Sequence, residues 1–509
     1  MNSSSVMVQP GRPREAGADA APAPSTMEWL IDNDDAYRAI ASAVQTATKS
    51  VFVSQLGFDA DFTVPCANGD AGTPFIDLLL TAANEREVDV RILLNATILL
   101  DTLKPLRRYL SSNGIHSPNM QLRGVSFFPH LLHAKMVIVD SEAAFLVGSP
   151  FVNGYWDSSA HRPHDEMRPT GELGGRPVHD VSVQVEGKAA RDVEREFFQL
   201  WDVANKETHL SQQRFDPTEP APHATSVRID VTAPAGVIAS RPRGSTAILR
   251  TLERALAGAR SLVYVEQQYL SCRRVFTSLR DALDREPELE IIIVSNQNPD
   301  ITAYAQWQRM NLEEFGMLDH ERVGVFALWS AAALEDRIQI NQVFVHSKVV
   351  IVDDECAMCG SANLDGVSLH SYGADFSGWI GRRVFRNVRN FDITATVDSR
   401  IPGMHAPAKS LRHRLWREHL GVDFDQSARP AGGWLPLWKQ SARQNIQTLQ
   451  SGAVPLAGVF VLPFSAENQP SRQLGELDLQ QGGASLELLF NPGWFERRFN
   501  LRWVRNMFL

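Results

Sequence analysis

The sequence predicts an α/β protein of two pseudo-symmetric lobes, each a mostly parallel sheet flanked by helices, with one active site at their interface. Three observations predict this fold class. Both halves repeat one order of apolar runs and amphipathic stretches, the spacing within the two halves is nearly equal, and both copies end at a His-x-Lys motif. At 509 residues and 44% hydrophobic content, the chain is long enough for two lobes that each bury a core.

Four predicted elements recur in the same order in each half. They are an apolar strand, a helix, a second apolar strand and a glycine-led apolar run, at Val51–Gln55, Phe75–Arg86, Val88–Asn95 and Gly124–Phe128 and again at Val263–Gln267, Val275–Asp284, Leu289–Asn296 and Gly324–Leu328. Since a helix joins the two strands, parallel pairing is expected. The distance from Phe52 to His133 is 81 residues and that from Tyr264 to His346 is 82, so we interpret the halves as a duplicated unit.

The repeat also predicts the domain boundaries. Residues 1–27 are rich in serine, alanine and proline and have no apolar core of a signal peptide, so they are predicted to be a disordered tail. The first repeat is predicted at 28–214, a proline-rich linker at 215–225, the second repeat at 226–420, and an extension that packs on the lobes at 421–509. The alternative for the extension is a patch that touches lipid, formed by its tryptophans Trp434, Trp438, Trp494 and Trp503.

Charge and cysteine content limit the possible partners and compartments. The net charge of −9 gives no basic excess of the kind that long nucleic acids demand, so no nucleic acid partner is expected. Four cysteines are too few for a disulfide framework, and Cys356 and Cys359 are interpreted as small core residues rather than a redox or metal pair. With no run of about 18 apolar residues, we expect no transmembrane helix and a cytoplasmic or peripheral membrane location, with export by a route that needs no signal peptide left open.

Two copies of one motif carry the candidate chemistry. The copies are His133-Ala134-Lys135, followed by Asp140 and Gly148-Ser149, and His346-Ser347-Lys348, followed by Asp353 and Gly360-Ser361-Ala362-Asn363. In a strand, residues i and i+2 point to the same face, so each histidine and its lysine can converge on one ligand. Two such copies, each followed by an aspartate and a Gly-Ser pair, indicate a functional site rather than a chance match.

The motif residues supply what phosphodiester transfer requires. A nucleophile, a proton donor for the leaving alcohol and positive charge for the phosphoryl oxygens are provided by His133, Lys135, His346 and Lys348. Further donors to the phosphoryl oxygens are predicted at Ser149, Ser361 and Asn363. Neither half has the full set alone, and no metal and no cofactor are expected.

Carboxylates are expected to orient the histidines. A nucleophilic imidazole must be neutral and correctly turned, which calls for a carboxylate on its other ring nitrogen. Asp180 and Asp375, each downstream of one motif, are the candidates. Asp140 and Asp353 lie seven residues after the histidines, on the opposite face of the strand, and are predicted to be structural.

The paired motifs resemble the phospholipase D superfamily, whose pattern is His-x-Lys, four residues, Asp, and then Gly-Ser-x-Asn. The second copy matches it from His346 to Asn363, whereas the first has Pro150 and Phe151 after its serine, so that Asn153 is the asparagine left to stand in. The resemblance spans roughly Trp29 to Gly421 and is closer to the lipid-hydrolysing branch than to the short nucleases with one motif per chain.

Two further segments carry the resemblance. Tyr264–Tyr269 looks like the family segment Tyr-x-Glu-Asn-Gln-Phe, which implies that Gln268 binds substrate, and His179-Asp180-Val181 is similar to the segment that closes the first repeat there. The family implies a double displacement in which His133 attacks phosphorus and His346 protonates the leaving alcohol, with exchanged roles left open by the pseudo-symmetry. Since both motifs lie in one chain, a monomer is expected.

Three functions compete at this point. The first is a phospholipase D that acts on glycerophospholipids and contacts membranes peripherally; the second is a nuclease or another non-lipid phosphodiesterase; the third is an inactive scaffold or binding protein. Intact motifs in both halves argue against the third, and the acidic balance favours the first over the second. The basic run Arg382–Arg389 either faces anionic headgroups or is a solvated surface. The sequence predicts neither the headgroup nor the acceptor alcohol.

Overall fold

The structure is a computed structural model that describes most of both predicted repeats. The described residues are 23–65, 72–98, 100–126, 128–168, 173, 175–205, 225–335, 337–376, 378–398, 407–421, 428–455, 458–464 and 485–489. Residues 1–22 of the predicted tail and 215–224 of the predicted linker lie outside this part of the chain.

The first lobe contains a seven-stranded sheet in the order β2-β11-β9-β8-β3-β6-β7. The strands described up to residue 205 are β1 (Ala23–Ser25), β2 (Met27–Ile31), β3 (Ser50–Ser54), β4 (Thr63–Val64), β5 (Thr73–Pro74), β6 (Asp89–Asn95), β7 (Met120–Val125), β8 (Met136–Val139), β9 (Ala143–Leu146), β10 (Val178–His179) and β11 (Val181–Glu186). The motif strand β8 lies in the middle of the sheet, where all four of its residues are buried. Its apolar side chains thus anchor Lys135, which directly precedes it.

The second lobe repeats this order as β12-β21-β20-β19-β14-β15-β16 within a larger sheet. Its strands and those after it are β12 (Thr225–Ala233), β13 (Ser245–Thr246), β14 (Leu262–Gln267), β15 (Glu290–Ser295), β16 (Val323–Ala333), β17 (Arg337–Gln342), β18 (Phe344–Val345), β19 (Lys348–Val352), β20 (Cys356–Gly360), β21 (Asp392–Asp398), β22 (Phe460–Pro463) and β23 (Ser485–Leu489). The two sheets therefore correspond strand for strand, and the predicted duplication and α/β fold class are confirmed.

The prediction of mostly parallel sheets is wrong in detail. In the first sheet β3 pairs in parallel with β6, and β6 with β7, but the four other pairings are antiparallel. The reason is that each motif strand turns back directly into the next one. Asp140 and Ser141 lie at φ values of 55° and 58°, and Asp353 and Asp354 at 55° and 59°, which form tight turns with both central residues left-handed. Each lobe is consequently a mixed sheet.

Helices cover the sheets. They are α1 (Asp32–Thr46), α2 (Phe75–Glu85), α3 (Leu103–Ser112), α4 (Lys188–Asn205), α5 (Ala247–Ala257), α6 (Arg273–Arg285), α7 (Thr302–Glu314), α8 (Gly366–Leu369), α9 (Trp379–Val384), α10 (Pro407–Leu420) and α11 (Leu435–Gln450), with a 3₁₀ turn at Tyr372–Asp375. The longest, α4, buries an apolar face that includes Phe197 and Trp201, and Phe197 stacks on Phe52 of β3. One continuous core runs from this helix across both lobes to Trp416 of α10.

Both ends of the described chain join the second sheet. β1 (Ala23–Ser25) pairs with β12, and β2 begins at Met27, so the end of the predicted disordered tail contains strand residues instead. In the predicted extension, α11 packs against β22, and β22 pairs with β16. Trp434 and Trp438 are buried, which excludes them from a surface patch, and Trp494 and Trp503 lie outside the described residues. The Cys356-Cys359 pair is also buried, as expected for core residues.

Candidate active site

Each motif histidine follows a short backbone bridge between the lobes. Leu132 pairs with Phe391, and the backbone N–H groups of His133 and Ala134 donate to the carbonyl of Phe391 at 2.9 and 2.8 Å. On the other side β10 pairs with β18, and the N–H of His346 donates to the carbonyl of His179 at 2.8 Å. The docking of the lobes therefore positions both histidines by main-chain bonds.

The carboxylates that contact the histidines are crossed between the lobes. Nδ1 of His133 donates to Asp392 of the second lobe at 2.6 Å, and Nδ1 of His346 donates to Asp180 of the first lobe at 2.8 Å. Because Nδ1 carries the proton in each ring, Nε2 is the nitrogen left with a lone pair. Such a nitrogen can attack phosphorus or, after protonation, donate to a leaving alcohol.

The two motif serines secure these carboxylates. Ser361 Oγ donates to Asp392 at 2.7 Å, and Ser149 Oγ donates to Asp180 in a short hydrogen bond. Ser149 in turn accepts a bond of 2.9 Å from Nδ2 of Asn33. Each lobe thus presents a serine-held carboxylate to the histidine of the other lobe.

The glycine before each serine leaves room for this arrangement. A Cβ atom on Gly148 would lie 2.1 Å from Oδ1 of Asp180, and one on Gly360 would lie 2.3 Å from the carbonyl oxygen of Ile393. Both contacts are far inside van der Waals distance, so any side chain would displace the strand that carries the carboxylate. This explains physically why Gly-Ser recurs at both positions.

The motif lysines are buried beside their histidines. Nζ of Lys135 donates to the carbonyl of His133 at 3.1 Å, and Nζ of Lys348 lies 2.9 Å from Nδ1 of His346. Burial, with repulsion from Lys348, lowers the pKa of Lys135 to about 7, and burial lowers the pKa of Lys348 to about 8. In both lysines the effect of burial outweighs the attraction of Asp180 and Asp392, so the two ammonium groups would gain from a bound anion such as a phosphodiester.

Burial also keeps the histidines neutral. It lowers the pKa of His133, with Lys135 adding to the effect, and together with Lys348 it lowers the pKa of His346 to about 3. Lys348 acts on His133 and Lys135 acts on His346, so the two motifs share one electrostatic environment. Although burial raises the pKa of Asp180, the attraction of His346 and Lys348 outweighs it and lowers that pKa to about 2.

The aspartates of the motifs lie away from this centre. Asp140 accepts backbone N–H bonds of 2.7 to 2.8 Å from Thr48, Lys49 and Ser50. Asp353 accepts the corresponding bonds from Arg260, Ser261 and Leu262 at 2.8 to 2.9 Å. Each carboxylate fixes the chain that enters the neighbouring strand, β3 or β14, which is the kind of structural contact that the sequence predicted.

Comparison with known proteins places this geometry in a family. A model described as "Cardiolipin synthase, PLD-like domain" matches residues 252–373, which include the whole second motif. Phospholipase D A of Dictyostelium discoideum is 24% identical over 464 residues, covering 78% of this chain, and phospholipase D2 of Bos taurus is 21% identical over 555 residues, covering 84%. Residues 252–373 thus match a phospholipase D-like domain, and over most of its length the chain is similar to phospholipases D.

The chain is shorter than these relatives. The alignment covers 36% of the Dictyostelium protein and 56% of the bovine protein, so the chain spans about a third to a half of them. A solved structure described as phosphatidylserine synthase of Haemophilus influenzae matches with a TM-score of 0.52 at 13% identity and covers 78% of this chain and 88% of that one. This likeness supports the fold.

The prediction that Asp375 orients a motif histidine is wrong. Asp375 accepts bonds from Ser271 Oγ at 2.7 Å and from the Gly366 N–H at 2.8 Å, and it makes no hydrogen bond with His346 among the described residues. Burial and the neighbouring Asp365 raise its pKa well above the usual range, which suits a protonated structural group. Asp180 is in the site as predicted but contacts the histidine of the other motif.

Asp392 is the residue that the sequence prediction missed. Its surroundings, Phe391-Asp392-Ile393-Thr394, alternate as His179-Asp180-Val181-Ser182 do, and it follows His346 by 46 residues where Asp180 follows His133 by 47. That repeat of a buried aspartate at the start of an alternating strand was the available signal. Asp375 also lies downstream of the second motif, but it lies in a 3₁₀ turn and not at the start of a strand.

The predicted phosphate donors divide into two groups. Ser149 and Ser361 were predicted to donate to a phosphoryl oxygen. Their hydroxyl protons point to carboxylates instead, so these serines help to orient the histidines. Asn363 is buried, and its Oδ1 has no hydrogen-bond partner among the described residues. The Gln268 backbone N–H donates to the carbonyl of Ser347 at 3.1 Å, which places this residue beside the second motif. Asn153, considered as a stand-in, bonds Asp59 and Asp61 instead.

A buried network of histidines and acids lies directly behind the site. Glu266 accepts bonds from His179 at 2.8 Å and His419 at 3.0 Å, and also from Ser347, the residue between His346 and Lys348. The N–H of Asp32 donates to the carbonyl of Asp180 at 2.8 Å.

None of the helices described here is long and apolar enough to cross a membrane.

Proposed function

We propose that this protein is a phospholipase D-type phosphodiesterase that hydrolyses or transfers the phosphatidyl group of glycerophospholipids through a phosphohistidine. The observation that carries this proposal is the crossed pair of histidines, each oriented by a carboxylate of the opposite lobe, above two lysines with lowered pKa values. This set provides nucleophile, acid and anion binding in one place.

The reaction proceeds in two displacements. Nε2 of one histidine forms a bond to phosphorus while the bond from phosphorus to the headgroup oxygen breaks. The other histidine, which takes up a proton on Nε2 when the phosphodiester anion binds, gives that proton to the departing oxygen. A water molecule or alcohol then gives its proton back to the second histidine and attacks phosphorus, and the phosphorus–nitrogen bond breaks. The products are the headgroup alcohol and either phosphatidate or a new phosphatidyl ester.

The roles of the two histidines follow the family. The resemblance implies that His133 attacks and His346 acts as the acid. The attacking imidazole must be neutral, and both histidines satisfy this condition in the free protein because burial lowers their pKa values. The location of the phosphoryl group in the trapped intermediate therefore decides the assignment.

The lipid substrate is supported by the relatives and by one surface. Relatives named phospholipase D and a cardiolipin synthase of Alkalihalophilus pseudofirmus, 21% identical over 355 residues, align over most of this chain. Phe128 is exposed in the loop before His133, and Trp379, Arg382, Arg383, Val384 and Arg386 are exposed on α9 and just after it; we call this set the interfacial surface. Such a mixture suits an anionic membrane surface.

Backbone contacts connect the interfacial surface to the site. The N–H of Leu131 donates to Asn390 Oδ1 at 3.2 Å, which ties the loop of Phe128 to the segment that follows α9. That segment continues through Phe391 into Asp392. Apolar side chains inserted into a membrane here would hold His133 close to the headgroup layer.

One assay tests the function. The protein is exposed briefly to EDTA and incubated with phosphatidylcholine, phosphatidylethanolamine or single-stranded DNA. Ethanol is present in each case as a competing acceptor. We expect phosphatidylethanol from the lipids and no nicked DNA. Nicked DNA without any lipid product would establish the non-lipid phosphodiesterase instead, and full activity of His133→Ala or His346→Ala would contradict the shared site.

A further inference from the structure

Four side chains behind the active site point their ligand atoms at one another. They are Asp32 at the start of α1, His161 in the loop before β10, His179 of β10 and Glu418 of α10. One atom from each, namely Oδ1, Nε2, Nδ1 and Oε1, lies within 4.8 Å of all the others. Asp32, His161 and His179 are fully buried, and only 11% of the Glu418 side chain is exposed.

Four distances between these ligand atoms are close to those of a tetrahedral metal site. Nε2 of His161 lies 3.3 Å from Asp32 Oδ1 and 3.2 Å from Glu418 Oε1, and Nδ1 of His179 lies 2.9 Å from each of the two oxygens. With metal–ligand bonds of about 2.0 Å, the ligand atoms of tetrahedral Zn²⁺ lie about 3.3 Å apart. A single hydrogen bond would bring each nitrogen closer to one acceptor. Here each nitrogen is almost equally far from the oxygens of Asp32 and Glu418.

The outer nitrogens of both rings have the partners that metal-bound histidines use. Nδ1 of His161 contacts Asp157 at 2.9 Å, and Nε2 of His179 contacts Glu266 at 2.8 Å. A histidine ligand donates its second N–H to such a carboxylate, which fixes the tautomer and leaves the inner nitrogen free for the metal. Asp157 is held in place in turn by Arg168 at 2.7 Å.

The negative charge of the carboxylates around the two rings favours binding of a divalent cation. Four carboxylates, Asp32, Asp157, Glu266 and Glu418, surround the two rings, and Oδ2 of Asp32 is buried without a hydrogen-bond partner among the described residues. A divalent cation held between the two rings would offset part of this negative charge.

We propose that Asp32, His161, His179 and Glu418 form a buried, four-coordinate zinc site that fixes the rear of the active site. Mixed nitrogen and oxygen ligands in a tetrahedral set suit Zn²⁺, whereas Ca²⁺ and Mg²⁺ prefer six or more oxygens. The four protein ligands fill the coordination sphere, so the role is structural. This site departs from the sequence prediction that no metal is bound.

The zinc site would position catalytic groups through short connections. The Asp32 N–H holds the carbonyl of Asp180, His179 precedes Asp180 in the chain, and Glu266 holds the hydroxyl of Ser347. Glu418 comes from α10 in the second lobe and the three other ligands from the first repeat. The ion would therefore lock the two lobes together next to His346.

The test measures metal content in the full-length protein. We expect about one zinc ion per chain after expression with added zinc, and less than about a tenth of that in Asp32→Asn and His161→Gln. His419→Gln is the matched control, since it removes a buried imidazole of the same network that is not one of the four ligands, and it should retain zinc. Wild-type protein without bound zinc, or His161→Gln with as much zinc as wild type, would overturn the proposal.

A second measurement uses only the wild-type chain, in case the variants fail to fold. Protein freed of metal by prolonged chelation is titrated with Co²⁺, and the strong visible absorption of four-coordinate Co²⁺ should appear and saturate at one equivalent; a weak six-coordinate spectrum would overturn the proposal. Zinc should also raise the Tm of the metal-free protein. These readouts need no lipid, so their failure would leave the phosphodiesterase proposal standing, and failure of the lipid assay would leave the zinc site standing.

Discussion

Asp392 accepts a hydrogen bond of 2.6 Å from Nδ1 of His133, although 259 positions separate them in the chain and they belong to different lobes. In the corresponding contact, Asp180 of the first lobe accepts a hydrogen bond of 2.8 Å from Nδ1 of His346 in the second lobe. The site is therefore a pair of crossed histidine–carboxylate contacts, and each lobe needs the other to orient its histidine.

Asp392→Asn should reduce kcat by roughly a hundredfold, because the amide no longer fixes the tautomer and orientation of the His133 ring. Asp375→Asn is the matched control, since Asp375 lies in the same lobe but contacts Ser271 and Gly366. Steady-state rates on a short-chain phospholipid compare the two. A larger loss in Asp375→Asn than in Asp392→Asn would show that the carboxylate is wrongly assigned.

The covalent intermediate should carry its phosphoryl group on His133. Rapid mixing with a radiolabelled lipid, quenching in alkali and peptide mapping would locate it, because phosphohistidine survives base. Label on the peptide with His346 would exchange the roles of the two histidines. Label on neither peptide, with turnover intact, would contradict the double displacement.

Substrate binding should take up protons near neutral pH. The free protein has lysine pKa values of about 7 and 8, and a phosphodiester anion favours the protonated forms, so binding is strongest below pH 7 and weakens as pH rises through both values. Between pH 7 and 9 we expect KM for a monomeric short-chain lipid to rise roughly tenfold or more. A KM that stays constant from pH 6 to 9 would exclude the two lysines as the anion site.

Gly148→Ala should destabilise the fold by about 1–3 kcal/mol and lower kcat, because the new methyl group collides with the carboxylate of Asp180. Gly432→Ala is a suitable control, since a Cβ there meets nothing within 4 Å. Thermal unfolding and rates measured well below Tm separate the two effects. If Gly148→Ala unfolds like wild type and keeps its kcat, the glycine has no packing role.

Trp379→Ala should weaken binding to vesicles that contain anionic lipid and leave turnover of a monomeric short-chain lipid near wild type. Trp379 is 66% exposed on α9, and the guanidinium of Arg383 lies 5.3 Å from the centre of its ring. Tyr109→Ala, which removes an exposed aromatic side chain on α3, is the control. Equal losses of vesicle binding in both variants would remove the special role of the interfacial surface.

Much of the fold could be predicted from the sequence because the repeat imposes two independent copies of each signal. The predicted strands Val51–Gln55 and Leu289–Asn296 correspond to β3 and β15 within a residue, and the predicted helix Phe75–Arg86 corresponds to α2. The antiparallel part escaped prediction because a motif strand followed by a tight turn at Asp140 and Ser141 has no distinct hydrophobic period.

The histidines, lysines and Asp180 could be placed in the site from sequence, but their pairing could not. Spacing along the chain suggests that a carboxylate serves the motif before it, whereas the main-chain bonds from His133 to Phe391 and from His346 to His179 place each carboxylate against the other motif. The cluster of Asp32, His161, His179 and Glu418 could not be predicted from a motif within one segment, because its residues come from segments up to 386 positions apart.

The crossed contacts also bear on how the protein is made. A ribosome that has released only the first lobe has produced His133 and Lys135, but the carboxylate and the carbonyl that orient His133 belong to residues 391 and 392, which are not yet synthesised. The nascent first lobe thus holds His133 without the groups that orient it, and the proposed catalytic pair is complete only when the last strands of the second lobe have docked.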